Sequence, residues 1–303
     1  MIGNIKKPEF FIVGAPKCGT TALDFHLSLH PEIFMAPKEK HYFMLDEGIN
    51  IKLKSITRAD YVNFFASASH RQVCGESSVW YLYSENVAKK IYQFNPEAKI
   101  IIILRNPKKM LPSLHSQFLY DADEHIVDFK TALLEDIERI KKGKKVKTRT
   151  FENRPGYINS VLYYEQVKRY LSVFDSGQVT ILLHNKVKDD FEGAYRSILK
   201  FLQVSTDFFP SEQQVNVNKK IKSVKLHSLS KRPPEKLKKI FRTIIPFKPI
   251  RSSLIKIVES LNVSEKNRDE LSEEVKELVN KYTKDDVLML AKLIDKDLSD
   301  WLR

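Results

Sequence analysis

Residues 10–23, FFIVGAPKCGTTAL, decide the fold. The apolar run Phe10–Val13 ends at Gly14 and suits a buried strand feeding a loop. From Thr20 the pattern changes: Ala22, Leu23, Phe25, Leu27 and Leu29 lead to Pro31 and read as a helix. Between strand and helix lie Gly14 and Gly19, five apart. Glycines so placed let the backbone curl with successive N–H groups pointing inward, and the helix N-terminus adds its positive dipole end. The result is an anion cradle, with the Thr20 and Thr21 hydroxyls as further donors. The plainer alternative is a strand-to-helix turn that needs glycine only for steric reasons.

Working outward, Lys99–Leu104 (KIIIIL) is the strongest strand pattern, a continuous β-branched run that fits a sheet covered on both faces. Further strands are expected at Val73–Gly75 and Gln178–Leu183. Helices are expected at Glu85–Phe94, Pro107–Tyr120, Tyr157–Phe174, Phe191–Leu202, Glu270–Tyr282 and Asp285–Ile294. Strands alternating with helices predict an α/β fold: a P-loop-containing three-layer sandwich with a central parallel sheet flanked by helices. Ligands then bind at the carboxyl ends of strands, in the loops after Val13, Gly75, Leu104 and Leu183. Residues 1–303 are expected to form one domain, with the basic, proline-punctuated stretch 205–262 as an insertion or lid.

The composition narrows the classes. A chain of 303 residues, 42% hydrophobic and 29% charged with nine glycines, is neither collagenous nor largely disordered. Two cysteines, Cys18 and Cys74, exclude a disulfide scaffold and a Cys-based zinc site, and the His and carboxylate spacings show no metal-ligand cluster. No apolar run reaches the roughly 18–20 residues that cross a bilayer, so a soluble, cytoplasmic chain is expected. The formal charge of +13 attracts polyanions, and its excess is concentrated. Residues 139–149 hold seven bases and no acid; residues 219–256 hold thirteen bases and one acid, Glu235.

Arg105-Asn106-Pro107 follows the strong strand directly, and Ser113 stands roughly 9 Å along the helix that Pro107 opens. An arginine fork at a strand end and a hydroxyl on the next helix are suited to a second phosphate. With the first loop they suggest a nucleotide phosphorylated at two places. The first loop also departs from the nucleotide P-loop: Thr20 follows the second glycine where that motif has lysine, and Lys17 lies inside the loop.

Together FFIVGAPKCGTTAL and ILRNPKKMLPSLHSQF resemble the two nucleotide motifs of the sulfotransferase superfamily. HPEIFMAPKEKHYF, GESSVWYL and the terminal DLSDWL extend the likeness, which is greatest to bacterial members and to the heparan-sulfate-type carbohydrate enzymes. The resemblance implies transfer of a sulfuryl group from 3′-phosphoadenosine 5′-phosphosulfate (PAPS) to a hydroxyl or amine, with adenosine 3′,5′-bisphosphate (PAP) as product and no metal. It implies that Pro16, Lys17, Cys18, Gly19, Thr20 and Thr21 hold the donor's 5′ end, with Lys17 on the bridging and sulfuryl oxygens. Arg105 and Ser113 would hold the 3′-phosphate, and Lys222 would reach the same phosphate or close the lid. Glu39 aligns with the carboxylate base, His41 being the alternative base. Ser77, Trp80 and Tyr81 would line the acceptor side.

Two departures stand out. The heparan-type enzymes carry lysine after the glutamate of the third block, where this chain has Ser77, and the block after the last strand reads His184-Asn185-Lys186-Val187. The alternative enzyme reading is a P-loop NTPase or small-molecule kinase, which wants lysine at position 20 and a magnesium-holding Asp at a strand end. A non-enzymatic reading as a nucleic-acid or membrane-surface protein rests on the basic segments alone. No nucleic-acid motif is present, so nucleic acid is not expected as a partner. Residues 219–261 interleave bases with apolar residues and suggest peripheral membrane contact. The expected acceptor is a carbohydrate or glycolipid, itself anionic.

Overall fold

The structure is a computed structural model that describes residues 6–44, 56–210, 219–221, 247, 263–265 and 270–303. Five strands, β1 (Phe10–Gly14), β2 (Ile33–Met35), β3 (Val73–Ser77), β4 (Lys99–Leu104) and β5 (Val179–Leu183), form one sheet in the order β2-β3-β1-β4-β5. Every pairing in it is parallel. The continuous apolar runs explain why β1 and β4 are central: Phe10–Val13 and Ile100–Leu104 are at most 1% exposed. Each such side chain contributes about 1.5–3 kcal/mol by leaving water.

The flanking helices are α1 (Thr20–Ser28), α2 (Arg58–Asn63), α3 (Val87–Phe94), α4 (Pro107–Tyr120), α5 (Phe129–Lys141), α6 (Tyr163–Leu171), α7 (His184–Asp189), α8 (Phe191–Leu202) and α9 (Glu273–Ile294). Strands β6 (Lys219–Ile221) and β7 (Val263–Glu265) pair antiparallel apart from the main sheet. The expected α/β sandwich with a central parallel sheet is therefore the fold. Among the described residues no helix is long and apolar enough to cross a membrane.

Three helical expectations change. Tyr157–Phe174 is not one helix: a 3₁₀ turn at Ile158–Val161 stops at Leu162, and α6 starts afresh. The restart has a cause, since the Asp286 carboxylate on α9 accepts the first amides of α6, Tyr163 N at 2.8 Å and Tyr164 N at 3.1 Å. Those are orphan donors that a helix N-terminus must satisfy from outside. The two closing helices are one, α9, because no glycine or proline interrupts Thr283-Lys284. Helix α5, unanticipated, is capped by Asp128, whose carboxylate accepts Thr131 N at 2.8 Å. It also absorbs part of the basic 139–149 stretch, and Arg139 is tied to Asp136 at 2.8 Å. Of the expected lid at 205–262, and of the 219–261 membrane segment, most lies outside the described residues, Lys222 included.

Chain direction places the site. From β1 the chain runs out to β2 and returns through β3 on one side, then crosses to β4 on the other. The carboxyl end of β1 is thus a topological switch point, where the first and second candidate loops meet.

Candidate active site

The glycine loop is held by its backbone. Gly14 has φ +141°, and a Cβ there would meet the Val79 carbonyl oxygen at 2.5 Å, so only glycine lets the two segments approach. Gly19 caps α1 at φ +91°, and a Cβ on it would come 3.3 Å from the His184 ring. Lys17 lies between them at φ +60° and donates from Nζ to Gln117 Oε1 at 2.9 Å. Cys18 is buried, its thiol 3.4 Å from the Pro16 carbonyl, and burial pushes its pKa up to about 12. A thiol held protonated by burial is no nucleophile.

The second loop closes on the first. Asn106 caps α4 by accepting Lys108 N at 2.9 Å, with Pro107 opening the helix, and this fixes Arg105 at the sheet's end. Arg105 Nη1 donates to the Lys17 carbonyl at 2.9 Å, while its Nε is buried without a partner among the described residues. Burial pulls the guanidinium below its ordinary pKa. Ser113, buried, lies on the same helix as Gln117, one turn earlier. Next to this corner, burial and then the Arg105 charge push His184 down to about 4, leaving a neutral imidazole.

Glu39 and His41 form the third part. His41 Nε2 donates to Glu39 Oε2 at 2.7 Å, and His41 Nδ1 is buried with no partner among the described residues. Burial pushes the Glu39 pKa up, but the His41 hydrogen bond and charge, with Lys38, outweigh it and hold the carboxylate below its usual range. Glu39 and His41 adopt φ of +63° and +48°, the left-handed region that costs non-glycine residues about 1–2 kcal/mol each. The strain is held by anchors on β3 and beyond. Glu39 N donates to the Ser77 carbonyl at 2.9 Å, and His41 N donates to Ser78 Oγ at 3.0 Å. Ser78 in turn donates to Glu76 Oε1 at 2.6 Å, and Tyr61 OH donates to the other Glu76 oxygen. Glu76 is fully buried, and burial raises its pKa against those hydrogen bonds.

Lys17, Arg105, Glu39 and His41 therefore gather at the carboxyl end of the sheet. Trp80 and Tyr81 have packing partners instead. Trp80 stacks on Phe118 at 6.3 Å; fully buried Tyr81 accepts Phe43 N at its hydroxyl and meets the His41 ring edge-on. Ser77 Oγ is buried without a partner among the described residues. Sequence reasoning missed Gln117, Lys38 and Glu76. Gln117 had a signal, being one helical turn past Ser113, whereas nothing in Lys38-Glu39-Lys40 sets one lysine apart from the other.

The glycine loop at the switch point, the buried arginine beside it and the strained carboxylate–imidazole pair thus share one end of the sheet. The chain belongs to the sulfotransferase family, whose sulfotransferase-domain model matches residues 7–296. It is similar to a sulfotransferase of Alicyclobacillus acidocaldarius, with 29% identity, TM-score 0.71, and coverage of 99% of this chain and 100% of that one. Human carbohydrate sulfotransferase 15 is 26% identical over 248 residues, covering 65% of this chain and 44% of that protein. Human bifunctional heparan sulfate N-deacetylase/N-sulfotransferase 2 is 29% identical over 206 residues, covering 65% and 22% respectively. The chain thus spans less than half the length of these curated relatives.

Proposed function

We propose that this protein moves a sulfuryl group from PAPS to a hydroxyl or amine of a carbohydrate or glycolipid acceptor, with Glu39 as base. One observation carries the reading. The carboxylate is locked by His41 at 2.7 Å and lies within one side chain of the glycine loop, since Lys38 contacts both Glu39 and Thr20 and Thr21.

The residues present fit the donor. Gly19 leaves open a cradle that a Cβ would narrow, Arg105 offers a buried N–H unpartnered among the described residues, and Ser113 stands on the adjoining helix. PAPS supplies the sulfuryl group and PAP as leaving group. Thr20, Thr21 and the loop amides would hold the 5′-phosphate, and Arg105 with Ser113 the 3′-phosphate. Glu39 accepts the acceptor's proton as the new S–O or S–N bond forms and the bond to the bridging oxygen breaks. Lys17, released from Gln117, neutralises the oxygen on which charge then develops. His41 fixes the orientation of Glu39.

The carbohydrate acceptor draws support from the named relatives, and its anionic character from the basic stretch at 139–149, where Lys141, Lys142 and Lys147 are each more than half exposed. Transfer to acidic oligosaccharides should then be more salt-sensitive than transfer to neutral ones. Sulfuryl transfer from labelled PAPS across a panel of glycans tests the function. The wild type should transfer label, while Glu39→Gln binds PAP yet transfers none. Normal turnover by Glu39→Gln would remove Glu39 from the base role.

A further inference from the structure

Lys38 stands between the donor loop and the base. Its Nζ donates to Thr20 Oγ1 at 3.2 Å and to Thr21 Oγ1 at 3.0 Å, and pairs with Glu39 Oε1 at 3.2 Å. The side chain is only 18% exposed, so this is an enclosed ammonium, not a solvated one. The two hydroxyls begin α1, whose first turn holds no acidic residue, and in the geometry shown their oxygens accept from the ammonium. An anion that takes those hydroxyls as donors arrives within one hydrogen bond of a lysine already in place. Its charge then draws Lys38 more strongly than a carboxylate that His41 also serves.

The position also answers the departure at Ser77. Glu39 N bonds the Ser77 carbonyl at 2.9 Å, so Lys38 neighbours the point where the heparan-type sequences carry their lysine. We propose that Lys38 is a second cation for the donor's phosphosulfate, one that leaves Glu39 for the 5′-phosphate end when the nucleotide binds. The inference rests on the assignment of the Gly14–Thr21 loop to the donor's 5′ end. It has a consequence at the base. Glu39 is faced by Lys38, His41 and Asp24, and losing Lys38 makes its carboxylate a stronger proton acceptor at the moment the donor is seated.

Titration calorimetry of PAP in buffers of different ionisation enthalpy measures this without turnover. In the carboxylate pH range the wild type should take up more protons on binding than Glu39→Gln. That difference should fall by at least about half when both are compared in a Lys38→Ala background. Asp24 is present in all four proteins, so its own titration cancels to first order. In turnover, Lys38→Ala should lose about 100-fold in kcat while still binding PAP, and Lys38→Arg should recover at least about tenfold of it. An unchanged proton difference, or a kcat within threefold of wild type, would each overturn the proposal. Failure of the wild type to bind PAP would instead overturn the donor-loop assignment beneath it.

Discussion

Arg105→Ala is predicted to weaken PAP binding in a way that depends on the 3′-phosphate. Among the described residues the guanidinium donates from Nη1 to the Lys17 carbonyl at 2.9 Å and keeps Nε buried without a partner. The protein has therefore already desolvated a cation whose second donor edge awaits an acceptor. A hydrogen bond from a charged group is worth about 1.5–3 kcal/mol, and about 1.4 kcal/mol is tenfold in affinity. Loss of the arginine should thus cost PAP roughly 10- to 150-fold in Kd. Some of that loss is indirect, because the Lys17 carbonyl also loses its donor and the glycine loop loosens. Adenosine 5′-phosphate reports that indirect part alone. Calorimetric Kd values for both nucleotides, on both proteins, close the cycle. PAP should lose at least about tenfold more than the monophosphate. Equal losses would mean that Arg105 only braces the loop, and the 3′-phosphate assignment would fall.

Other perturbations follow from the same geometry. His41→Ala removes the hydrogen bond that does most to hold Glu39 ionised, so the acid limb of kcat/KM should move to higher pH. An unmoved limb in the pH–rate profile would separate His41 from the base. The limb in the wild type should lie below the ordinary carboxylate range, because the Glu39 pKa is lowered; a base with a raised pKa would place it above. Ile102→Ala, at the fully buried centre of β4, should cost about 2–5 kcal/mol in urea unfolding, and less than about 1 kcal/mol would contradict the packing. Asp286→Ala strips the α6 amides of their acceptor and should cost about 1–3 kcal/mol. Burial holds Asp286 at a pKa of about 6, above its unfolded value, so its ionisation disfavours the folded state as pH rises from about 4 to 6. Asp286→Ala should therefore flatten the fall in stability over that window; an unchanged slope would refute the assignment.

Much of this was legible because the central strands are buried on both faces. KIIIIL needs no partner to declare itself, and Lys99–Leu104 and Pro107–Tyr120 form with the bounds their residues predict. The glycine loop was legible for a related reason, since a strand, two glycines and a helix leave few conformations. What stayed hidden depends on contacts distant in sequence. The break before α6 is made by Asp286, more than a hundred residues later. Strand β2, Ile33–Met35, has three residues and no periodicity to detect; it exists because β3 offers an open edge. At the site, Glu39 and His41 could be named from the resemblance, but not the contacts that hold them. Those are the 2.7 Å bond between them and the Ser78–Glu76–Tyr61 chain that anchors the His41 backbone. Lys38 was masked by its neighbours, since lysines flanking a glutamate look alike until one of them reaches Thr20 and Thr21.

The central claim is that one pocket grips an adenosine nucleotide at both its 5′ and 3′ ends. Calorimetric titration with PAP, set beside ATP with magnesium, tests it most directly. The account predicts saturable binding of PAP and a much weaker response to magnesium-ATP. Preference for the triphosphate would contradict it and favour a kinase or NTPase.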